Sequence, residues 1–573
     1  VKNSEANEDD YYLRFEGHND RDGRGSWTEC AAPGRKIAFD PAKMPIQLVR
    51  QANGTFKLSQ VTWENCLVGN TVTVPKPSFI STVAGEDDDD VTVNRYINKM
   101  IFWRNRLVML SAEDIILSQP GEFFNFWPKS SITYTANDVI DISCSSEFPA
   151  DVYDGVQTNS GLVLFTKNKQ FLLTTDSDVL SPQTAKLNTI SAYNFNESTN
   201  PISLGTTIAF LDNAGKYSRF WEMANILREG EPQVIDQTKV VSKLFNKNLN
   251  KISNSRENSI IFFSEKNTQT LYGFSYFSSS ERRLQQAWFK WTFSGLIQHH
   301  AVLDDSLYLI IRDSGKDTMQ RIPIRMDTST LSITDDLDTD DTSDDINYRI
   351  NLDNSKIIPA SDVMYASDGR SKIFLPDGFN IPRISTDDKY RKLVIYCHQA
   401  DSTSSSSQAI QDSDLIGSYA ETIYQGPDSN GKYMVAWDGD WTGHDLILGY
   451  LFDMEVEFPT IYPTQTTSDQ TIANTNGSLV IHRVKLNFGA AGMYTTILDR
   501  IGKPQYSETW EPNLANSYKA NQVGINEQIT QTVPTYEKNK NLTLTLKSSH
   551  PAPATLYSMT WEGDFTNAYY KRV

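Results

Sequence analysis

The sequence predicts an all-β fold, a β-propeller with additional β-sandwich-like domains, on three observations. Aromatic residues are abundant, with 27 Phe, 26 Tyr and 11 Trp among 573 residues, and aromatic and β-branched side chains favour the pleated surface of a strand. A short apolar run, a tight turn and a second apolar run recur, with matching runs starting at Leu107, Leu162, Ile208, Ile260 and Leu307. The steps between them are 55, 46, 52 and 47 residues. That is close to the blade period of a propeller, in which each small sheet buries its faces against its neighbours. Helical periodicity, the third observation, is scarce. An ordinary antiparallel sandwich has similar strand spacing and is the alternative for residues 91–330.

At ~150 residues per domain the length suggests about four domains. Residues 1–90 read as an N-terminal β-rich segment, the remainder of a larger domain. There Leu48-Val49-Arg50 and Phe56-Lys57-Leu58 flank Asn53-Gly54, a strong hairpin signal. Residues 91–330 are assigned to the blades. Ile101-Phe102-Trp103 turns through Arg104-Asn105-Arg106 into Leu107 to Leu110, and Leu162 to Phe165 returns as Phe171 to Leu173. Ile208 to Leu211 turns at Asp212 to Gly215 towards Trp221, Ile260 to Phe263 is answered by Leu271 to Phe277, and Leu307 to Ile311 follows Trp288 to Trp291. Gln237 to Asn248 is the best helix candidate, with Val240, Val241, Leu244 and Phe245 at i, i+1, i+4 and i+5, acting as a connector on the blade edges. Residues 331–480 are expected as a β-rich domain with acidic and Ser-rich loops, the latter at Ser402 to Ser407, and 481–573 as a C-terminal β-rich domain.

Seventy-one acids face 53 bases, a net charge of −18, which argues against a basic nucleic-acid-binding surface over the whole chain. The excess is concentrated. Glu86 to Asp90 is five consecutive carboxylates, and Asp335 to Asp345 holds seven in eleven positions, so two tracts carry 12 of the 18 excess charges. Both read as solvated, mobile loops. Asp336-x-Asp338-x-Asp340 has the opening spacing of a calcium loop, but Asp341 stands where the sharp turn needs Gly and Asn347 where a bidentate Glu is expected. No metal site is expected. Cys30, Cys66, Cys144 and Cys397 form no C-x-x-C pair and no secreted-type framework, which fits folding in a reducing compartment. No run approaches the ~18 apolar residues of a membrane span, and no signal peptide is visible. The chain opens on Val1 rather than Met, so a processed N-terminus or a piece of a longer chain is expected.

Catalytic patterns fail one by one, and no catalytic residue or cofactor is assigned. The seven histidines form no H-E-x-x-H, and there is no G-x-S-x-G elbow. Gly426 to Lys432 imitates a phosphate loop, but Tyr433 replaces the magnesium-binding Ser/Thr and a strand follows where a helix is needed; it reads as a hairpin loop. His299-His300 and Cys397-His398 are adjacent on expected strands, so each pair points to opposite faces. Glu113, Asp114, Asp212, Glu222 and Asp304 lie near strand ends, where a propeller glycosidase would place its acid and base. Trp437-Asp438-Gly439-Asp440-Trp441 reads as an aromatic-flanked turn, with a sugar-stacking loop as the sharper alternative.

One stretch carries a family likeness. Arg104-Asn105-Arg106-Leu107, Leu110-Ser111, Ile115 to Ser118, Phe123-Phe124-Asn125-Phe126 and Pro128 resemble the tail tubular protein B (tail nozzle) family of T7-like short-tailed bacteriophages. Asp138 to Ile142, Gln286 to Phe293 with Leu307 to Arg312, and Trp561 to Phe565 with Tyr570-Lys571-Arg572 continue the resemblance, which is patchy from 331 to 475. Family members carry a substantial region before the position matching Tyr11. The resemblance implies a structural, non-enzymatic protein of the phage tail, made in the host cytoplasm. Six copies would form a homo-hexameric tube below the adaptor (tail tubular protein A), with tail fibres docked at its side and the phage genome leaving through its channel towards the host cell surface. This chain alone is expected to stay monomeric. DNA carries one negative charge per ~1.7 Å, so a channel without a continuous basic stripe would let it slide. A virion-borne glycosidase, or a sugar-binding propeller for host polysaccharide, is the alternative.

Overall fold

The computed structural model describes residues 10–566 except 21, 81–94, 145–149, 227–229, 279–282, 314, 325–331, 334–345, 348–349, 377–378, 380–391, 401–414, 416–417, 430, 468–469, 476 and 511–527. The acidic tracts at 86–90 and 335–345, the serine run at 402–407 and residues 570–572 therefore lie outside the described residues. The chain divides into two compact units, Val1–Arg325 and Met326–Val573. It is all-β, and among the described residues no helix is long and apolar enough to cross a membrane.

In the first unit the recurring apolar run folds as antiparallel meanders, sheets in which each strand hairpins onto the next. The first meander is Ile97–Trp103, Arg106–Ser111, Asp114–Leu117 and Ile140–Ser143. The second is Val152–Gln157, Leu162–Thr166, Gln170–Thr175 and Ala185–Ser191. The third is Ile202–Ser203, Ile208–Asp212, Arg219–Ala224 and Gln233–Asp236. The fourth consists of Lys251–Ser255, Ile260–Ser264, Thr268–Ser278 and the first half of the 21-residue strand Arg283–Leu303. The second half of that strand opens a fifth stretch with Ser306–Asp313 and Lys316–Pro323.

The second strand of each of the first four meanders is buried along its whole length. With both faces covered, neither set of side chains can be polar, which is why these strands read as apolar runs rather than alternating patterns. Alternate residues serve different cores. Leu162 and Leu164 pack with Val108 and Leu110 of the first meander, whereas Val163 and Phe165 pack with Ile208 and Phe210 of the third. Ala209 and Leu211 meet Ile261 and Phe263, and Ile260 and Phe262 meet Leu307 and Leu309. The meanders thus stack face to face in chain order. The other face of the first, at Leu107 and Met109, is covered by Val61, Trp63 and Phe79. Among the described residues no core joins the first stretch to the fifth.

One sequence expectation is corrected. Gln237 to Asn248 is not a helix, and only Lys239–Val241 makes a single 3-10 turn. The Asp236 carboxylate accepts from the Thr238 N–H at 2.9 Å and from its hydroxyl at 2.6 Å, a local bonding pattern that competes with helix. Phe245 is pulled into the core between the third and fourth meanders while Val240 stays 79% exposed. The strand Ser478–Ala491 runs across positions 480 and 481 and pairs on both sides, with a register shift between Ile481 and Arg483.

In the second unit, Asp353–Ile358, His444–Tyr450, Leu393–Ala400 and Tyr419–Glu421 form one sheet, and Met364–Tyr365, Arg370–Phe374, Tyr433–Asp438 and Ile423–Pro427 another. Ile395 and Leu446 of one sheet pack on Ile373 and Val435 of the other. A second pair follows, with Met454–Glu457, Leu542–Ser548, Tyr494–Arg500 and Tyr506–Trp510 against Ile529–Lys538, Ser478–Ala491 and Ala554–Thr566. Leu498 and Leu544 meet Val484 and Val533 between them. Buried and exposed positions alternate along Ile529–Lys538, with Gln531, Val533 and Thr535 turned inward, the burial pattern of a sheet solvated on one side.

Candidate functional site

The first strands of the meanders line a common cavity of about 440 Å³. Lys99 comes from the first meander, Asp154 from the second, Ile202 from the third, Lys251 and Ser253 from the fourth, and His300 from the second half of the long strand. Unlike the second strands, Ile97–Trp103 alternates between half-buried and exposed positions, so one of its faces can carry polar side chains towards the cavity. Gly155 lets the second meander approach closely, because a Cβ there would sit 3.0 Å from both the Ile101 and the Leu164 methyl groups.

The lining is electrostatically lopsided. Lys99 Nζ donates to Asp154 Oδ2 at 2.7 Å and the Gly155 N–H donates to Asp154 Oδ1 at 2.7 Å. Burial raises the Asp154 carboxyl above its ordinary range, and the Lys99 bond pulls it back. Among the described residues Asp154 is the one carboxylate lining the cavity, and no carboxylate pairs with Lys251. Burial, and then the like charge of Lys99, draw the Lys251 ammonium below its usual pKa. His300 is 1% exposed, with Nδ1 2.7 Å from Ser253 Oγ. Burial first and then Lys251 push its pKa down to about 3, so the ring is neutral at pH 7. His299 lies on the solvent side of the same strand, as alternation requires.

The carboxylates singled out by sequence sit elsewhere, and none lines the cavity. Asp114 is held by Arg95 and the Ser143 hydroxyl. Asp212 faces Arg219 at 3.2 Å and accepts from the Ala214 N–H at 2.6 Å. Glu222 receives both terminal nitrogens of Arg283 at 2.8 and 3.0 Å, the Thr207 hydroxyl at 2.9 Å and Gln237 Nε2 at 2.7 Å. Glu113 and Asp304 stand in hairpin turns. Trp437 and Trp441 are buried, edge to face at 6.0 Å, in the core between two sheets, so neither ring offers a face to a sugar. The phosphate-loop imitation is a hairpin turn, with the Lys432 N–H bonded to Asp428 Oδ1 at 2.8 Å and the Gly431 N–H to the Asp428 carbonyl at 3.0 Å. Burial raises the Cys397 thiol far above its ordinary pKa, which removes it as a nucleophile. Among the described residues no three His, Cys, Asp or Glu side chains gather as a metal site needs.

Sequence reasoning passed over Lys99, Asp154 and Lys251. Their common signal is position: each sits on the strand that opens a repeat, one strand before the apolar run. The specific Arg-Asn-Arg-Leu block turns out to be architectural. Arg106 is 2% exposed and donates to four backbone carbonyls: Ser118 and Asp138 at 2.7 Å, Ala136 at 3.0 Å and Leu180 at 3.3 Å. One guanidinium thereby ties the 118–138 connection to the second meander.

Comparison with known proteins adds what the geometry alone leaves open. The profile of the family described as "Bacteriophage nozzle protein" matches residues 1–572. Tail tubular protein gp12 of Escherichia phage T7 is 25% identical over 327 residues, which cover 56% of this chain and 39% of that protein. The chain thus spans well under two thirds of that relative's length. Among solved structures, Kluyveromyces lactis Hsv2 aligns over 60% of this chain and 85% of its own at 8% identity, with a TM-score of 0.27. The Phanerochaete chrysosporium exo-β-1,3-galactanase bound to galactose aligns over 84% and 99% at 11% identity, with a TM-score of 0.20. At such TM-scores neither likeness bears on fold or function.

Proposed function

Because the chain belongs to the bacteriophage nozzle protein family, we propose that it is a structural component of the tail nozzle in a short-tailed phage virion. The family match along 572 residues carries this reading. In the proposal six copies form a ring beneath the adaptor, tail fibres dock on its outside, and the genome crosses towards the host through the space between copies. The cavity within one chain supports placing the DNA path there. A sphere of about 440 Å³ is about 9 Å across, whereas the major groove alone of a DNA duplex is about 12 Å wide. We read the meanders as propeller blades around that cavity, since each sheet buries both faces of its second strand and contributes its first strand to one axis.

The proposed role is non-enzymatic. Glycoside hydrolysis needs two carboxyl groups about 5–9.5 Å apart on either side of the scissile bond. Asp114, Asp212 and Glu222 are instead engaged by arginines, and the cavity is lined by Asp154 with Lys99 against it. A cryo-EM reconstruction of virion tails, with the mass of the full-length protein in solution, tests the reading. A six-fold ring of this chain supports it. Absence of the protein from the tail would overturn it, as would release of reducing sugar from host polysaccharide that is lost on Asp154→Asn.

A further inference from the structure

We propose that the cavity at the head of the meanders binds a compact oxyanion, a carboxylate or phosphate on a molecule no larger than a monosaccharide. The inference stands whether or not the chain assembles as a nozzle, because every group involved lies within one chain. Lys99 and Lys251 bring two ammonium groups to a lining whose described carboxylate is Asp154 alone, and Asp154 is taken up by Lys99 at 2.7 Å. The Lys251 backbone is paired in its sheet, but its half-buried ammonium has a like charge beside it and no hydrogen-bond or ion-pair partner among the described residues.

A half-buried cation without a charge partner gives up part of its hydration, and an anion entering beside it offsets that loss. Such a charge is out of place in a chain carrying −18 overall, so attraction to any anion is local rather than a general property of the surface. The walls add what orientation needs. Ser253, Asn200 and Asn254 supply neutral donors and acceptors, and the neutral His300 contributes a polar edge without a charge that titrates near pH 7. The pocket opens to solvent, and its volume of about 440 Å³ lies within the usual ligand-pocket range of about 300–1,000 Å³, enough to seat one small ring.

The test is calorimetric titration of the full 573-residue chain at low ionic strength with sodium phosphate, sodium glucuronate and the neutral methyl glucoside. Phosphate and glucuronate are expected to bind and the glucoside not to. A tighter phosphate identifies a free oxyanion, and a tighter glucuronate an acidic sugar. Lys251→Met should weaken anion binding at least tenfold, and Asp154→Asn, which removes the lining's negative charge, should tighten it at least threefold. Thermal unfolding of both variants verifies folding. It also supplies a second readout, since phosphate should raise the melting temperature of the wild type and not that of Lys251→Met. Failure of the wild type to bind either anion, unchanged affinity in Lys251→Met, or glucoside binding equal to glucuronate would each overturn the proposal.

Discussion

Replacing Arg106 by Met tests whether the buried guanidinium, rather than the apolar runs alone, holds the first two meanders in place. Met keeps most of the side-chain volume and removes all the donors. Hydrogen bonds from a charged group contribute about 1.5–3 kcal/mol each, and the two at 2.7 Å to the Ser118 and Asp138 carbonyls are the strongest of the four. Losing them costs about 3–6 kcal/mol, partly offset because a desolvated cation is also removed, which leaves a net loss of about 3 kcal/mol. Hydrogen exchange followed by mass spectrometry on peptides covering 107–118 and 136–140 reads the opening free energy locally, and 3 kcal/mol corresponds to roughly a hundredfold faster exchange. Arg106→Lys keeps the charge but not the fork and should fall between, at about tenfold. Arg104→Gln is the control, since Arg104 is exposed and only stacks on Trp103 at 5.5 Å. Exchange in Arg106→Met within threefold of wild type would refute the reasoning.

Other perturbations have equally definite outcomes. Arg283→Met leaves the Glu222 carboxylate, 9% exposed, without its cation and should destabilise the first unit by about 3 kcal/mol in urea unfolding, while adding Glu222→Gln should restore most of it. An aromatic disulfide reagent should titrate Cys30 alone in the native protein and all four thiols in guanidinium. Cys66, Cys144 and Cys397 are buried with raised pKa values, Cys144 to about 12, and a second fast-reacting thiol would contradict this. His550 is held neutral by burial, its pKa lowered from 6.5 to about 4. The unfolded state therefore takes a proton that the folded state does not, and stability should fall as pH drops from 6.5 towards 4; His550→Asn should reduce that slope to the share left by His300, whose pKa is lowered to about 3, and an unchanged slope would sink the assignment. Calorimetry with calcium should show no micromolar site, and binding abolished by changing Asp336, Asp338 and Asp340 to Asn would count against the loop reading.

The stacked part of the fold was legible because strands buried on both faces announce themselves. Leu162 to Phe165 and Ile260 to Phe263 can only sit inside, and their spacing gives the repeat. The cavity was not legible, because its residues come singly from strands such as Lys251–Ser255 whose local sequence, Lys-Ile-Ser-Asn-Ser, resembles any solvated strand. Only folding brings Lys99, Asp154 and Lys251 together. The reverse error concerned Val240, Val241, Leu244 and Phe245, where helical spacing was real in sequence but Phe245 had a better place in a core between sheets. Carboxylates at strand ends looked catalytic for want of their partners: Glu222 and Arg283 are 61 positions apart.

Strands that feed two cores at once carry a particular vulnerability. In a sheet with one wet face, a slip of one residue turns apolar side chains to water and corrects itself. In Leu162–Thr166 the same slip would exchange Leu162 and Leu164 for Val163 and Phe165, hydrocarbon for hydrocarbon, with only a mismatch of shape to oppose it. Alignment must then be dictated at the corners. Arg104 and Asn105 both adopt positive φ, 45° and 59°, which clamps Trp103 opposite Arg106. Gly161 sits at φ +155°, where any side chain would strike the Leu173 carbonyl. Exchanging the apolar residues along these strands should therefore prove more forgiving than inserting one residue at either corner, because the information that aligns the stack resides in a few backbone bends rather than in the grease they connect.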